Sequence, residues 1–248
     1  MTYAPLENSF EAIILCGGSA KRMKPYLPFN KALAELAPGQ TLLEHQINWL
    51  KLNRARQITL AIDAKTYSDV SAFKPRILQE VRCSIEANEL GTGGALRKAS
   101  ENIETPLVYV MNVDDIIVSE NYAPQNLLQL TKDDIKGTLL VTRTYFPFGV
   151  VETQDQYIHS FKKKPLLDYW INTGHCVLDT EYIKNCFTEK GDLDQLLSEM
   201  ARKRLLVHRK LEGDWFTVNN IKQLEEARKK ITNHITQNRT QVEPITNQ

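Results

Sequence analysis

Short apolar runs alternate with helical patterns over the first half of the chain. Ala12–Cys16 is continuous and apolar, as expected for a strand that is buried on both faces. Thr41–Asn53 predicts a helix, because Thr41 is a suitable N-cap with Glu44 three residues later. Further strands are predicted at Ile58–Asp63, Val81–Ile85 and Leu107–Asn112, and a second helix at Gly91–Ile103. This order predicts a mostly parallel sheet with helices on both faces, in which ligands bind at the carboxyl ends of the strands.

The second half of the chain is richer in predicted strands. These are Thr138–Arg143, Gly149–Thr153, Ile158–Phe161, Ile171–Asp179, Leu205–Arg209 and Trp215–Val218, and the predicted helices are Asp192–Lys203 and Ile221–Ile231. Neither a repeat nor a change of composition marks a linker, so residues 1–232 are predicted to form one domain. The polar residues 233–248 are predicted to form a frayed C-terminal tail.

Charge and cysteine content narrow the classes of function. The 248 residues include 31 Lys+Arg and 30 Asp+Glu, a balance that gives no reason to expect nucleic acid or a membrane as a partner. The N-terminus lacks the basic region and apolar stretch of a signal peptide, and no apolar run approaches the length of a membrane span. The four cysteines have no metal-binding spacing. They are predicted to be free thiols in a reducing compartment, which favours the cytoplasm.

The loop after the first predicted strand is rich in glycine and basic residues. Gly17 and Gly18 allow the backbone to turn sharply and to approach a ligand, with consecutive N–H groups available to an anion. Around this turn lie Lys21, Arg22, Lys24 and Lys31. These features favour phosphate binding. A solvated basic loop, in which the glycines serve only as a turn, is the alternative.

Two further segments carry candidate chemistry, and the second of them, the acidic pair, is predicted at the same edge of the sheet as the glycine loop. Glu86–Ala95 contains three glycines in four positions before a helix, which would let a base or ribose approach the backbone closely. Asp114 and Asp115 follow the predicted strand Leu107–Asn112, and two carboxylates at a strand end suit Mg²⁺. Each segment also has a purely structural interpretation, as a glycine-rich helix start or as an acidic turn.

Together, these segments resemble the nucleotidyltransferases that couple nucleoside triphosphates to sugar 1-phosphates. The motifs in the first half are Leu-x-Gly-Gly-x-x-x-Arg-Met, Leu-Gly-Thr-Gly-Gly-Ala and Asn-x-Asp. In the second half they are Phe148–Val151, Phe161–Pro165, Ile171–Gly174 and Trp215–Leu224, so the resemblance covers residues from about 11 to 231 in the family's order. It implies a Rossmann-like, GT-A-type α/β fold with an antiparallel substrate-binding insert.

The resemblance also implies roles for individual residues. Arg22 and Lys31 match the residues that hold the triphosphate, and Lys164 matches the lysine that contacts the sugar phosphate. The nucleotide would be bound by Leu15, Gly17, Gly18, Ser19, Glu86, Gly91 and Thr92. The sugar phosphate would be bound by Asn112, Gly149, Lys163, Asn172 and Gly174.

A divalent metal, Mg²⁺ or Mn²⁺, is the cofactor that the resemblance implies. Asp114 matches the family's metal-binding aspartate. Asn219 is assigned as the second ligand, because Val218–Leu224 is similar to the corresponding stretch of N-acetylglucosamine-1-phosphate uridylyltransferases, in which this asparagine binds the metal. The alternative is that Asn219 is only the N-cap of the helix that starts near Ile221.

The chain departs from the family's motifs at Ala20, Asn30, Lys163 and Thr217. Asn30 stands where the family has a proline before the lysine, and Thr217 stands where many members have a metal-binding aspartate. The segment Ser84–Leu96 looks most like mannose- and heptose-1-phosphate guanylyltransferases, which favours GTP, whereas the similarity at Asn219 favours UTP.

The predicted activity joins a nucleoside triphosphate to a hexose or heptose 1-phosphate and releases pyrophosphate. The alternatives are a uridylyl- or cytidylyltransferase of the same fold, or a binding protein that has lost the chemistry. The expected partners are the two substrates, with a homo-oligomer as a further expectation.

Overall fold

The computed structural model describes residues 9–18, 23 and 26–240, with side chains as far as residue 232. Its strands are β1 (Phe10–Leu15), β2 (Glu35–Ala37), β3 (Gln40–Thr41), β4 (Ala55–Asp63), β5 (Arg82–Glu86), β6 (Leu107–Asn112), β7 (Asp115–Val118), β8 (Gly137–Thr142), β9 (Gly149–Gln154), β10 (Tyr157–Lys163), β11 (Ile171–Asp179), β12 (Leu206–Lys210) and β13 (Asp214–Thr217). The helices are α1 (Leu42–Leu52), α2 (Ala64–Phe73), α3 (Ile77–Glu80), α4 (Gly91–Ser100), α5 (Gln125–Leu128), α6 (Thr180–Cys186), α7 (Leu193–Arg202) and α8 (Ile221–Thr240).

Seven of these strands form one sheet in the order β12-β8-β11-β6-β1-β4-β5. Only β11 runs antiparallel to its two neighbours, and the other four pairings are parallel. The carboxyl ends of β1, β4, β5, β6, β8 and β12 therefore meet at one edge of the sheet. This arrangement confirms the predicted Rossmann-like, mostly parallel α/β fold.

Apolar side chains cover both faces of the sheet. On one face, Leu43 and Ile47 of α1 and Val70 of α2 pack with the strands. On the other face, residues of α4, α6 and α7 do so, including Leu96, Ile183 and Leu197. Because helices cover both faces of the sheet, the central strands consist of nearly continuous apolar residues.

The start of α1 has the capping arrangement that its sequence predicts. The Thr41 hydroxyl accepts from the Glu44 N–H at 3.2 Å, and the Glu44 carboxylate accepts from the Thr41 N–H at 2.8 Å. The helix α2 was not predicted from the apolar pattern. It begins after Asp63, whose carboxylate caps it by accepting from the Thr66 N–H at 2.8 Å.

The predicted antiparallel insert is the hairpin β9–β10, which forms a two-stranded sheet of its own. Apart from Ser160, every residue in its two strands is exposed. The last helix, α8, continues to Thr240, whereas the apolar pattern predicted its end at Ile231. Residues 233–240 are therefore helical and do not form the frayed segment expected there. No helix in the described part of the chain is long and apolar enough to cross a bilayer.

Candidate functional site

Three strand ends along the carboxyl edge supply the first part of the candidate site. Gly17 and Gly18 follow β1, while Asp63 and Glu86 are the last residues of β4 and β5. A cavity of about 670 Å³ lies between these ends and is lined by Gly18, Leu27–Asn30, Asp63–Thr66, Asp69 and Glu86–Glu89. The sequence predicted the glycines at this edge and Glu86 as a nucleotide-binding residue, but it did not single out Asp63. The position of Asp63 at the carboxyl end of a buried parallel strand was the signal that could have identified it.

The glycine turn differs in one respect from the predicted anion-binding turn. The Gly18 N–H donates to the Asp63 carboxylate at 3.0 Å, so this amide is already engaged by a side chain of the protein and is not available to a ligand phosphate. Gly18 has φ +107°, a conformation that favours glycine. A Cβ placed on Gly17 would lie 3.4 Å from Glu86 Oε1, so the turn and the Glu86 carboxylate are close neighbours. Ser19 and Arg22, two residues of the predicted site, lie outside the described residues.

Lys31 is held at the end of this loop. The Asn30 side chain accepts from the Ala32 N–H and caps a 3₁₀ turn over Lys31–Leu33. The Lys31 ammonium contacts Asp114 Oδ2 at 2.5 Å, and the two side chains are 20% and 13% exposed. The sequence assigned these residues to the triphosphate and to the metal separately. The structure brings them together as a partly buried ion pair.

Asp115 points to a different set of partners from Asp114. Its carboxylate accepts from Asn112 Nδ2 at 2.8 Å. A Cβ on Gly174 would lie 2.0 Å from Asp115 Oδ2, and Gly174 has φ +77°, so only glycine fits here. Burial, and then the neighbouring Asp114 charge, raise the pKa of Asp115 to about 7. Asn112 and Gly174 were both predicted at the sugar end, and the structure places them together around Asp115.

Two buried side chains donate hydrogen bonds to the backbone carbonyl of Asp115. Gln46 Nε2 donates to it at 2.7 Å, and His175 Nε2 donates at 2.9 Å. His175 Nδ1 then accepts from the Tyr109 hydroxyl at 2.7 Å. Burial lowers the pKa of His175 to about 4, so the ring is neutral at pH 7. This histidine therefore has a structural role.

The glycines at the start of α4 make room for another segment of the chain. The N–H groups of Gly93 and Gly94 donate to the Gly191 carbonyl at 2.8 and 3.2 Å. A Cβ on Gly94 would lie 2.3 Å from the Glu189 carbonyl oxygen. The Thr92 hydroxyl accepts from the Leu193 N–H at 2.9 Å. The predicted reason for these glycines, close approach of a base or ribose, is therefore wrong for Gly93 and Gly94, which pack against the loop Glu189–Asp192.

Apart from Asn112, which ends β6, the residues predicted to bind the sugar phosphate lie on the hairpin and at the start of β11. Lys163 pairs with Gly149 across the hairpin, and both Lys163 and Lys164 are exposed. The Asn172 side chain accepts from the Gly174 N–H at 3.1 Å, which links two of the predicted residues. The hairpin and the start of β11 thus contain four of the residues that the resemblance assigns to the sugar phosphate.

The predicted metal ligands are neighbours. The Val218 N–H donates to the Asp114 carbonyl at 2.9 Å, so Asn219 follows directly after a residue that pairs with Asp114. Asn219 is not the N-cap of α8, because the Asn220 side chain accepts from the Gln223 N–H at 3.0 Å and fills that position. The carboxylate of Asp114 and the amide oxygen of Asn219 are hard oxygen donors that suit Mg²⁺.

The set of oxygen ligands formed by Asp114 and Asn219 is small. Among the residues that the structure describes, no group of three or more histidine, cysteine, aspartate or glutamate side chains is arranged to hold a metal ion. A two-ligand site of this kind fits Mg²⁺ that is also bound by phosphate oxygens.

Comparisons with known proteins show which family the chain is similar to. The model of the nucleotidyl transferase family matches residues 11–234. D-glycero-alpha-D-manno-heptose 1-phosphate guanylyltransferase of Campylobacter jejuni is 29% identical over 201 residues, which cover 78% of this chain and 87% of that protein. Mannose-1-phosphate guanylyltransferase catalytic subunit beta of Drosophila pseudoobscura is 27% identical over 228 residues, and the matched region covers 87% of this chain but only 60% of the relative.

A solved structure shows the same fold. A putative glucose-1-phosphate thymidylyltransferase from Bacillus anthracis, in complex with a sucrose, superposes with a TM-score of 0.69 at 20% identity, covering 89% of this chain and 94% of that one. Since the family model spans nearly the whole described chain, the family predicted from the sequence motifs is confirmed. The chain belongs to the nucleotidyl transferase family, among relatives named as sugar-1-phosphate nucleotidyltransferases.

Proposed function

We propose that the protein transfers a guanylyl group from GTP to a hexose or heptose 1-phosphate. An oxygen of the sugar 1-phosphate would attack the α-phosphorus of GTP, and the bond from this phosphorus to the bridging oxygen of the β-phosphate would break. The products are a GDP-sugar and pyrophosphate. The attacking phosphate is already ionised near pH 7, so the reaction needs no general base.

Individual residues of the predicted site have distinct roles in the proposed reaction. The Lys31 ammonium, with Arg22, would stabilise the charge that develops on the departing pyrophosphate. Lys164, exposed at the end of the hairpin, would neutralise the sugar phosphate as it approaches. Asp114 and Asn219 would hold Mg²⁺, which when bound offsets the repulsion between the two anionic substrates. Positioning of the two phosphates would supply much of the remaining acceleration.

The preference for guanine rests on Glu86. Its carboxylate lies at the cavity beside Gly17, and Oε2 accepts from the Leu90 N–H at 3.3 Å. A carboxylate only accepts hydrogen bonds, and guanine offers adjacent donors at N1 and at its 2-amino group. Uracil offers a single N–H beside a carbonyl oxygen, which a carboxylate would repel. The favoured base at this position is therefore guanine.

A comparison of GTP with inosine triphosphate tests this assignment. Inosine triphosphate lacks only the 2-amino group, so the wild-type protein should use it about 10- to 100-fold less well than GTP. The variant Glu86→Gln should reduce that discrimination, because its amide can pair with N1–H and O6 of both bases. Equal use of GTP and inosine triphosphate by the wild-type protein would remove Glu86 as the residue that selects the base.

A panel of nucleotides and sugars separates the alternatives. GTP, UTP, CTP and deoxythymidine triphosphate would each be incubated with mannose, glucose, N-acetylglucosamine or heptose 1-phosphate and Mg²⁺, and the nucleotide sugars identified by mass spectrometry. A product from UTP alone would favour the alternative suggested by Asn219. Binding of a nucleotide without any product would favour the homologue that has lost catalysis.

A further inference from the structure

Asn30 stands directly before Lys31, where the family's motif has a proline, and it is only 8% exposed. Its side-chain Nδ2 donates to the Gly18 carbonyl at 3.0 Å and to the Thr66 hydroxyl at 2.8 Å. Its Oδ1 accepts from the Ala32 N–H at 2.9 Å. Its own N–H donates to Asp69 Oδ2 at 3.2 Å. A proline has no N–H and no polar side chain, so it could form none of these bonds.

The contacts of Asn30 close a ring of hydrogen bonds. The Thr66 hydroxyl donates to Asp63 Oδ2 at 2.7 Å, and the same oxygen accepts from the Gly18 N–H at 3.0 Å. Gly18 is thus held through its N–H by Asp63 and through its carbonyl by Asn30. We call the ring formed by Gly18, Asn30, Asp63 and Thr66 the Gly18 clasp.

The Gly18 clasp joins the two ends of the basic loop. Gly18 is at its beginning and Asn30 is at its end, and both are fixed to the first turn of α2, which contains Thr66. Asn30 also caps the 3₁₀ turn that starts at Lys31. The direction of the Lys31 side chain, which contacts Asp114, therefore depends on a backbone that Asn30 holds at several points.

We propose that Asn30 is a positioning residue that acts through Lys31. It holds the Lys31 backbone in the conformation needed to meet the triphosphate before the nucleotide arrives, so less order has to be gained on binding. This proposal rests on the proposed function, because it assigns to Lys31 a contact with the phosphates.

A double-mutant cycle tests whether Asn30 acts through Lys31. Asn30→Ala should lower kcat/KM for nucleotidyl transfer by about 10- to 100-fold when Lys31 is present. In the Lys31→Ala background, the same change should cost less than about threefold, because the group it positions is already gone. An equal fold loss in both backgrounds would show that Asn30 does not act through Lys31, and would overturn the proposal.

A matched control separates positioning from a general loss of stability. Thr131→Val removes a buried hydrogen bond of 2.7 Å between Thr131 and Thr138, away from the candidate site. This variant should lower the melting temperature but leave kcat/KM within about twofold at a temperature well below unfolding. If Thr131→Val lowers kcat/KM as much as Asn30→Ala does, the loss in Asn30→Ala reflects stability and the proposal fails.

Amide hydrogen exchange in the absence of nucleotide tests the Gly18 clasp independently of activity. Amide hydrogen exchange of Gly18 and Ala32 should become about tenfold faster in Asn30→Ala than in the wild-type protein. Unchanged exchange at both amides would overturn the proposal. If the protein transfers no nucleotidyl group to any sugar phosphate, the proposed function fails, while the exchange experiment still reports whether Asn30 holds this backbone.

A second variant covers the case in which Asn30→Ala does not fold. Thr66→Val removes one corner of the Gly18 clasp and keeps the bond from Asn30 to the Gly18 carbonyl. It should produce a smaller loss of kcat/KM, of about three- to tenfold, and this loss should also shrink in the Lys31→Ala background. A loss that persists there would count against the proposal.

Discussion

At the nucleotide end of the candidate site, Gly18, Lys31 and Asp114 are each held by a hydrogen bond or ion pair from another element. At the sugar end, the β9–β10 hairpin pairs with itself as a two-stranded sheet, and nearly all of its residues are exposed. A two-stranded ribbon is marginal in water without further support. Under the proposed function, this difference predicts a nucleotide subsite that is formed in advance and a sugar subsite that gains order when its ligand binds.

Removal of the Lys31 ammonium should have the largest effect on activity. Lys31→Ala should lower kcat/KM by about 30- to 1000-fold, because a charge-assisted contact in the transition state is lost. Lys162→Ala is the matched control on the hairpin, where the exposed lysine pairs with Glu152 at 2.9 Å. It should change kcat/KM by less than about twofold. Steady-state kinetics with both substrates would measure kcat/KM of the two variants. Similar losses in Lys31→Ala and Lys162→Ala would contradict the difference between the nucleotide end and the hairpin.

A pair of glycine substitutions compares the rigidity of the seven-stranded sheet, which contains Gly174, with that of the β9–β10 hairpin, which contains Gly149. Gly174→Ala should lower the free energy of unfolding by about 2–4 kcal/mol, because its Cβ would meet the buried Asp115 carboxylate and its φ is positive. Gly149→Ala should cost less than about 1 kcal/mol, because its Cβ would meet only the exposed Phe161 ring, which can move. Urea unfolding measures the free energy of unfolding of both variants. A larger loss for Gly149→Ala would show that the hairpin is the more rigid part.

Two adjacent asparagines distinguish metal binding from helix capping. Asn219→Ala should raise the Mg²⁺ concentration for half-maximal activity several-fold, because an oxygen ligand is removed. Asn220→Ala should cost about 1 kcal/mol of stability through the lost cap of α8 and leave the Mg²⁺ midpoint unchanged. Mg²⁺ titrations at saturating nucleotide, with thermal unfolding of each variant, measure the two effects. An unshifted midpoint in Asn219→Ala would leave Asp114 as the single protein ligand supported by these residues.

The smallest expected effect is a pH dependence from Glu86. Burial, as the largest cause, and the nearby Asp63 charge raise the pKa of Glu86 above its ordinary value. The ionised carboxylate is the form that accepts from guanine, so kcat/KM for GTP should fall as pH drops through this raised pKa. The fall should begin at a higher pH than an ordinary glutamate would give. Glu86→Gln should remove this part of the profile, and an identical profile in the variant would assign the titration to another group.

The sequence predicted the fold and the location of the site because both depend on local patterns. Apolar runs followed by glycine or aspartate identified the ends of β1 and β6, and the Thr41–Glu44 pair identified the start of α1. The Gly18 clasp was not predicted, because it joins residues up to 48 positions apart through side chains of ordinary polar type. For the same reason, the sequence did not show that Gly93 and Gly94 contact another segment of the chain, because their partner Gly191 is about a hundred residues away.

The contact between the start of α4 and the loop Glu189–Asp192 limits how the chain can be divided. The loop satisfies amide groups at the first turn of α4, and the apolar face of α4 packs against Ile183 and Leu197. A fragment that ended after β7 would contain the glycine loop, Glu86 and Asp114, yet it would expose both the amides and this apolar face. Recombinant fragments or domain exchanges intended to preserve nucleotide binding would therefore have to carry α6 and α7 along with the first half of the chain.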